Sequence, residues 1–186
     1  MVAFVGQMTE ITTLYLDVEA IPTEMIHLLA NMTFLVEVTL HKFTLLEKLP
    51  QSQLFPQGLR VLGLSADAIK EDPMPILEKL PCLVELFLEG YQGRAMFCSA
   101  QGFPRLQSLA LRYFSTEEWR MEVEAMPRLS FMWLSGCWNM NKLPEGFLHL
   151  PSLKELQLVG MDLNSEDDVT WKKLNGKGCK VTVHPR

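Results

Sequence analysis

The chain has 186 residues, of which 48% are hydrophobic, and it carries a formal net charge of −5. This length and composition are sufficient for one domain with a continuous core, and they argue against a disordered chain. The negative charge and the lack of a run of Lys and Arg argue against a nucleic-acid partner. No apolar run approaches the roughly 18 residues that cross a bilayer, so no membrane span is predicted.

The N-terminus and the cysteines indicate where the protein works. Residues 1–6 are apolar but lack the basic start, the long apolar centre and the cleavage site of a secretory signal. The cysteines contain no C-x-x-C pair, which is typical of free core thiols in an intracellular protein rather than of a metal site or a disulfide framework. They are Cys82, Cys98, Cys137 and Cys179. We therefore predict a cytoplasmic protein.

A segment of the form L-x-x-L-x-L recurs along the chain. The separations between its first positions are 24, 24, 24, 23, 23 and 24 residues. This period lies within the range of leucine-rich repeats. The seven copies are Ile11-Leu14-Leu16, Leu35-Val38-Leu40, Leu59-Leu62-Leu64, Leu83-Leu86-Leu88, Leu106-Leu109-Leu111, Leu129-Met132-Leu134 and Leu153-Leu156-Leu158.

Each copy predicts one short strand, because its fourth and sixth positions point to one face of a strand and the residue between them to the other. One strand per repeat gives a parallel sheet, so the predicted fold is an α/β leucine-rich-repeat solenoid with the sheet on its concave face. Of the connections, 22–31 and 74–80 have helical apolar spacing, with Pro22 and Pro75 in first turns. Residues 51–58 and 90–102 are predicted to be irregular.

We predict a single domain over residues 1–186, in which residues 1–10 are the remnant of a preceding repeat. Residues 11–158 hold the seven repeat strands, and residues 159–186 form a C-terminal cap. Ser165 and the acidic residues after it predict a capping box, and Gly176 is the expected C′ glycine of the helix. The segment Val181-Thr182-Val183 is expected to add a final strand over the open end of the core.

The residues before four of the strands share an apolar-Pro-x-Leu sequence, in which proline fixes the approach to the strand. These are Leu80-Pro81-Cys82-Leu83, Phe103-Pro104-Arg105-Leu106, Met126-Pro127-Arg128-Leu129 and Leu150-Pro151-Ser152-Leu153. Together with Lys142-Leu143-Pro144-Glu145-Gly146, Gly136-Cys137 and Leu153-Lys154-Glu155-Leu156, they resemble the repeat domain of plant coiled-coil nucleotide-binding leucine-rich-repeat disease-resistance proteins. The resemblance covers about residues 6–186.

The resemblance implies a protein-binding module that recognises a pathogen effector or a guarded host protein, or that binds the nucleotide-binding module of the same receptor to hold it inactive. No G-x-x-x-x-G-K-[ST] motif is present, so no cofactor is predicted. The family's Asn after each strand is also missing, which implies irregular curvature. The residues at that position are Glu19, Phe43, Asp67, Tyr91, Phe114, Cys137 and Met161.

The outward residues of the seven strands predict a binding surface on the concave face. The preferred patch consists of Phe87, Phe131 and Trp133 with Arg112 between them, because exposed aromatic residues and arginine are common anchors of interfaces. An acidic character of the same face would favour a basic partner. The full predicted site is Tyr15, Glu37, Glu85, Phe87, Glu89, Arg112, Phe131, Trp133 and Glu155.

Several alternatives remain open at the level of sequence. They are a register that differs by one residue, a loop 91–101 that folds over the aromatics, and an acidic face that is an ordinary solvated surface. A stand-alone scaffold or substrate adaptor, derived from a truncated receptor gene, is the alternative function. No enzyme is predicted, because the histidines lie in different repeats without a nucleophile at a recognisable spacing. The tryptophans off these strands, predicted as lateral core, are Trp119, Trp138 and Trp171.

Overall fold

The computed structural model describes residues 10–17, 28–43, 48–161, 163 and 168–184. Residues 1–9 of the predicted remnant (1–10) and residues 22–27 of the predicted helix (22–31) lie outside this set. Among these residues the helices are α1 (Met74–Leu77) and α2 (Val169–Gly176), Leu28 and Leu29 are also helical, and 3-10 turns cover Ser52–Leu54 and Glu145–His149. The strands are β1 (Thr13–Asp17), β2 (Glu37–Phe43), β3 (Val61–Ile69), β4 (Glu85–Tyr91), β5 (Ala95–Cys98), β6 (Ser108–Arg112), β7 (Glu118–Met121), β8 (Phe131–Ser135), β9 (Glu155–Val159) and β10 (Lys180–His184).

The main sheet confirms the predicted solenoid. Within the described residues it has eight parallel strands in the order β1-β2-β3-β4-β6-β8-β9-β10. The seven predicted strands all belong to it, and β10 is the predicted final strand. At the start of the strands a backbone ladder continues from repeat to repeat, with Val84 N donating to Arg60 O at 2.8 Å and Gln107 N to Val84 O at 2.8 Å.

The core is formed by the fourth and sixth positions of the repeat. From β2 to β9 these side chains are at most 2% exposed, as Leu86 and Leu109 illustrate. Each one contacts its equivalents in neighbouring repeats, because the strands are in register along the stack. This continuous row of buried side chains is the main stabilising contribution, because each Å² of buried apolar surface is worth about 25 cal/mol.

A second sheet was not predicted. Within residues 90–102, expected to be irregular, β5 forms a parallel pair with β7 one repeat later. Met96 and Trp119 point inward and are buried, and the indole N–H of Trp119 donates to Cys98 Sγ at 3.4 Å. The Trp119 ring also meets Phe147 edge to face, with 5.3 Å between centroids. The connections of these repeats therefore close one side of the core with a sheet rather than with helices.

The connection before β4 holds the predicted helix, but it is shorter than expected. The pattern predicted helix over residues 74–80, whereas α1 ends at Leu77. Pro75 is in the first turn, as predicted. The Asp72 carboxylate accepts hydrogen bonds from Met74 N at 3.0 Å and Phe97 N at 2.7 Å, so it joins α1 to β5. Burial raises the pKa of this carboxyl group.

Buried apolar side chains occupy the position that the family's Asn would fill. Tyr91, Phe114 and Cys137 are each no more than 2% exposed, and Met161 is 7% exposed. The rings of Tyr91 and Phe114 are 5.4 Å apart, and the Tyr91 hydroxyl donates to the Ala95 carbonyl. Aromatic contacts between repeats therefore replace an Asn ladder in this part of the solenoid.

The C-terminal cap forms with a different helix boundary from the one predicted. Asp168 is the N-cap of α2, and its carboxylate accepts from Trp171 N at 2.9 Å; Ser165 lies outside the described residues. Gly176 is the last helical residue rather than the C′ glycine, and the left-handed conformation occurs at Gly178, with φ 85°. The other Asp168 oxygen accepts from Leu143 N at 2.7 Å, so this residue joins the cap to the preceding repeat.

The buried cysteines are expected to be unreactive in the native state. All four are free thiols, and burial raises the pKa of Cys98 from 9.0 to about 12 and that of Cys137 from 9.0 to about 11. Because the thiolate is the nucleophile, iodoacetamide at about pH 8 should modify half-buried Cys82 first, and Cys98 and Cys137 only after unfolding. Mass spectrometry of a labelling time course measures this order. Equal rates at all three positions would contradict the described burial.

The same thiols give a pH dependence of stability. Both pKa values are higher in the folded state than the ordinary value of 9.0, so the folded chain retains protons that the unfolded chain releases. The free energy of unfolding is therefore expected to fall as the pH rises above about 9. Replacing Cys98 and Cys137 by alanine should flatten this decline.

Candidate protein-binding face

The outward side chains of the main sheet, here called the sheet face, form columns that run across the repeats. One column aligns Glu85, Ser108 and Phe131, and the next aligns Phe87, Ala110 and Trp133. Between β2 and β3 the pairing shifts after Leu40, so His41 is not directly opposite Ser65. A second shift follows Ser65 between β3 and β4. Apart from these two irregularities, the register is the predicted one and does not differ by one residue.

The predicted aromatic residues lie on the sheet face but are less exposed than expected. Phe87, Phe131 and Trp133 are half-buried. Tyr15 is more open, with 61% of its surface exposed, and its ring is 5.5 Å from that of His41. The half-buried rings still present an outer surface to a partner.

A shallow cavity next to Phe87 was not predicted. Gly63 on β3 and Ala110 on β6 flank this ring in the same column and leave space on both sides of it. The cavity has a volume of about 370 Å³ and is lined by Thr39, His41, Val61, Leu62, Gly63, Glu85, Leu86, Phe87, Ser108 and Ala110. The sequence did contain a signal for this cavity, because the residues aligned with Phe87 in the preceding and following repeats, Gly63 and Ala110, are small. An apolar depression of this kind can receive a side chain of a partner.

Arg112 makes three contacts with two neighbouring residues, Glu89 and Tyr113. Its Nη1 is 3.6 Å from Oε2 of Glu89 on the adjacent strand, and its Nη2 donates to the Tyr113 hydroxyl at 2.9 Å. The guanidinium carbon also lies 4.5 Å from the centroid of the Tyr113 ring. These contacts fix the side chain before any partner binds, which reduces the entropy lost on binding.

Trp138, predicted as lateral core, is on the surface instead. It is 51% exposed and forms a tilted pair with Tyr113, which is 42% exposed, at 5.7 Å between centroids. The other two tryptophans follow the prediction, since Trp119 is buried and Trp171 is half-buried against the core. With Arg112, the Tyr113–Trp138 pair extends the sheet face at the C-terminal edge of the strands.

Gly136 makes this aromatic pair possible. Its φ is +63°, and a Cβ there would lie 2.6 Å from Cδ1 of Tyr113 and 3.3 Å from Cζ2 of Trp138. We expect Gly136→Ala to lower the free energy of unfolding by about 1–2 kcal/mol, from strain at positive φ and from displacement of Tyr113. Urea unfolding followed by tryptophan fluorescence measures the change.

The matched control is Gly176→Ala at the end of α2. Nothing lies within 4 Å of a Cβ at Gly176. This variant should raise the stability by about 0.5–1 kcal/mol, because alanine restricts the unfolded chain more than glycine does. A loss of the same size in both variants would show that Gly136 has no special packing role.

The acidic character of the sheet face is weaker than its composition suggests. Glu37 and Glu85 are exposed, but Glu89 is neutralised by Arg112. Glu155 accepts a hydrogen bond from Gln157 Nε2 at 2.8 Å and lies opposite Lys180 of β10. The negative potential is therefore concentrated on β2 and β4, beside the Phe87 cavity.

Two searches bear on other kinds of site. Within the part of the chain that the structure describes, no three His, Cys, Asp or Glu side chains approach closely enough to hold a metal ion. Over those same residues, no helix has the length and apolar character needed to cross a membrane.

The fold and the sheet face define a leucine-rich-repeat solenoid, and comparison with known proteins identifies its relatives. No family model matches the chain. It is 41% identical over 134 residues to a probable disease resistance protein of Arabidopsis thaliana, which covers 70% of this chain and 15% of that protein. It is 41% identical over 131 residues to the probable disease resistance protein RXW24L of the same species (68% of this chain, 14% of the relative) and 40% identical over 119 residues to its disease resistance RPP8-like protein 3 (62% and 13%).

These relatives confirm the resemblance inferred from the sequence. The chain is a leucine-rich-repeat domain related to plant disease resistance proteins of the nucleotide-binding class. It spans no more than 15% of the length of the three relatives described. All three relatives are disease resistance proteins.

Proposed function

We propose that the chain acts in the cytoplasm as a protein-protein interaction module of a plant disease-resistance receptor. Its partner would be a pathogen effector, a host protein that the receptor guards, or the nucleotide-binding module of the same receptor. The observation that carries this proposal is the ordered set of partly exposed aromatics on the sheet face, with the Phe87 cavity at one end and the Tyr113–Trp138 pair at the other.

The chemistry of the face supports protein binding. Aromatic residues and arginine dominate the binding energy of many interfaces, and they are most effective where neighbours hold them in place. Trp133 and Phe131 are half-buried, and Arg112 is fixed by Glu89 and Tyr113. Because these side chains are already restrained, little of their conformational entropy is lost when a partner covers them. A partner with a side chain that enters the Phe87 cavity gains additional apolar burial.

The experiment compares partners captured from healthy and infected leaf extract by the unmodified chain and by a Phe87→Ala, Trp133→Ala variant. Candidates that differ between the two are purified, and their Kd is measured by calorimetry. We expect the double variant to weaken binding by about tenfold or more, since each anchor contributes at least ~1 kcal/mol.

The matched control is Phe97→Ala. Phe97 is an aromatic residue with 39% exposure on β5 of the second sheet, outside the sheet face. Binding by this variant should match that of the unmodified chain. If Phe97→Ala weakens binding as much as the double variant does, or if the double variant binds every purified partner normally, the sheet face is not the binding surface.

A further inference from the structure

A row of cations lies at the N-terminal edge of the strands, away from the aromatic pair at their C-terminal edge. Two adjoining clefts run along this edge, with volumes of about 400 Å³ and 570 Å³, and they share Gln107 and Arg128. We call this feature the basic groove. Its basic residues are Arg60, Arg105, Arg128, Lys154 and Lys177.

Two of these arginines are placed by the repeat itself. Arg105 and Arg128 occupy the same position in consecutive repeats, two residues before the backbone ladder residues Gln107 and Ser130. Adjacent strands are about 4.8 Å apart, so equivalent side chains start close together. Like charges at this spacing repel each other. The arrangement therefore favours an anionic partner.

The groove arginines differ from the other arginines of the described chain in their contacts. Arg94 pairs with Glu117 at 3.1 Å, Arg120 with Glu118 at 2.8 Å and Arg112 with Glu89 at 3.6 Å. In the described ranges no carboxylate lies within ion-pair distance of any groove arginine, although the whole chain has 22 acidic and 17 basic residues. All three groove arginines are exposed. The positive potential of the groove is therefore not cancelled locally.

We propose that the basic groove is a second binding surface, which receives an acidic segment of a partner protein. Arginine binds carboxylates through two parallel hydrogen bonds, and a cleft positions such pairs better than a flat surface does. An extended peptide places alternate side chains on one side about 6.6 Å apart, which is more than the roughly 4.8 Å between adjacent strands but within the reach of long arginine side chains.

The surroundings of the groove favour a protein over a uniform polyanion. Exposed Glu85 lies next to groove residue Val84 in the sequence, and the chain as a whole carries a net charge of −5. Nucleic acid has a negative charge at every phosphate and would be repelled by Glu85 and by the net negative charge of the chain. A protein segment with a few acidic residues avoids this repulsion.

The test measures fluorescence anisotropy of a labelled peptide of alternating glutamate and serine, added to the complete 186-residue chain at low salt. A peptide of alternating glutamine and serine is the neutral control probe. We expect the glutamate peptide alone to bind, and its affinity to fall with added salt because the contacts are between exposed charges.

Charge reversal locates the site. Arg105→Glu with Arg128→Glu should weaken glutamate-peptide binding by about tenfold or more. The matched control, Arg94→Glu with Arg120→Glu, changes the net charge equally but outside the groove, and should change the affinity by less than about twofold. Circular dichroism checks the fold of each variant, and the corresponding Arg→Gln pairs repeat the comparison if a reversed variant is unfolded.

Three results would overturn the proposal: no binding of the glutamate peptide, an equal loss in both double variants, or binding only to a single-stranded oligonucleotide or to phosphatidylserine vesicles. The reversal of Arg105 and Arg128 should leave partner binding at the sheet face intact. The two proposals therefore succeed or fail separately.

Discussion

Replacing Leu109 by alanine is expected to lower the free energy of unfolding by roughly 2–5 kcal/mol. Leu109 is fully buried on β6, between Leu86 of β4 and Met132 of β8. Shortening its side chain leaves a cavity that borders both neighbouring repeats. Close-packed interiors relax only partly around such a void. Because each repeat of a solenoid is stabilised mainly by its neighbours, the damage affects the stack on both sides.

Urea unfolding monitored by circular dichroism measures this change. The control is Ser108→Ala, one residue earlier on the same strand, where the side chain points to the sheet face and is half-buried. Its effect should stay within about 0.5 kcal/mol. Similar losses at positions 108 and 109 would contradict the inward and outward assignment of the strand residues.

Replacing Asp168 by alanine should lower the stability by about 2–4 kcal/mol, because two different hydrogen bonds are lost. Its Oδ1 accepts from Trp171 N at 2.9 Å and caps α2, while its Oδ2 accepts from Leu143 N at 2.7 Å. Loss of an N-cap costs about 0.5–2 kcal/mol, and an unpaired buried N–H costs about 1–3 kcal/mol. The effect should exceed that of an isolated helix cap.

Asp168→Asn separates the two contributions. Asparagine has one acceptor oxygen, so it can cap α2 or bind Leu143 N, but it cannot reproduce both bonds. We expect a loss of about half that of Asp168→Ala. Hydrogen exchange at Leu143 and Trp171 identifies which bond remains. If Asp168→Asn were as stable as the unmodified chain, the bridge between the cap and the last repeats would contribute nothing measurable.

The sequence was sufficient to predict the main sheet and its register. The reason is that a strand alternates its side chains, so the buried residues at positions such as Leu86 and Leu88 fix the outward direction of Phe87. The 23- to 24-residue period then aligns Phe87 with Ala110 and Trp133. Pairings of this kind depend on local pattern and period alone.

The second sheet was missed because its strands are short and lie between clear repeats. A signal was present: Met96 and Cys98 alternate with outward residues, and Trp119 and Met121 repeat that alternation 23 residues later. The helix boundary at the cap was missed for a different reason. Glu166, Asp167 and Asp168 are consecutive acidic residues, so the pattern does not single out Asp168, which caps α2 and also accepts from Leu143 N.

The exposure of individual aromatic residues could not be predicted from alternation. It depends on the size of side chains on neighbouring strands, so Gly63 and Ala110 open a cavity beside Phe87. Trp138 lies after β8, where the pattern gives no direction, and the space that Gly136 leaves allows it to pair with Tyr113 at the surface. The candidate site therefore includes two residues that the strand pattern did not supply.

The measurement that tests the central claim most directly is hydroxyl-radical footprinting of the chain with and without a purified partner. Aromatic side chains react readily, and the described chain presents them on both sheets. We predict protection of Phe87, Trp133, Tyr113 and Trp138 in the complex, with Phe97 unchanged. Protection of Phe97 with no change at the four predicted residues would show that the partner binds the second sheet, and it would contradict the assignment of the sheet face as the binding surface.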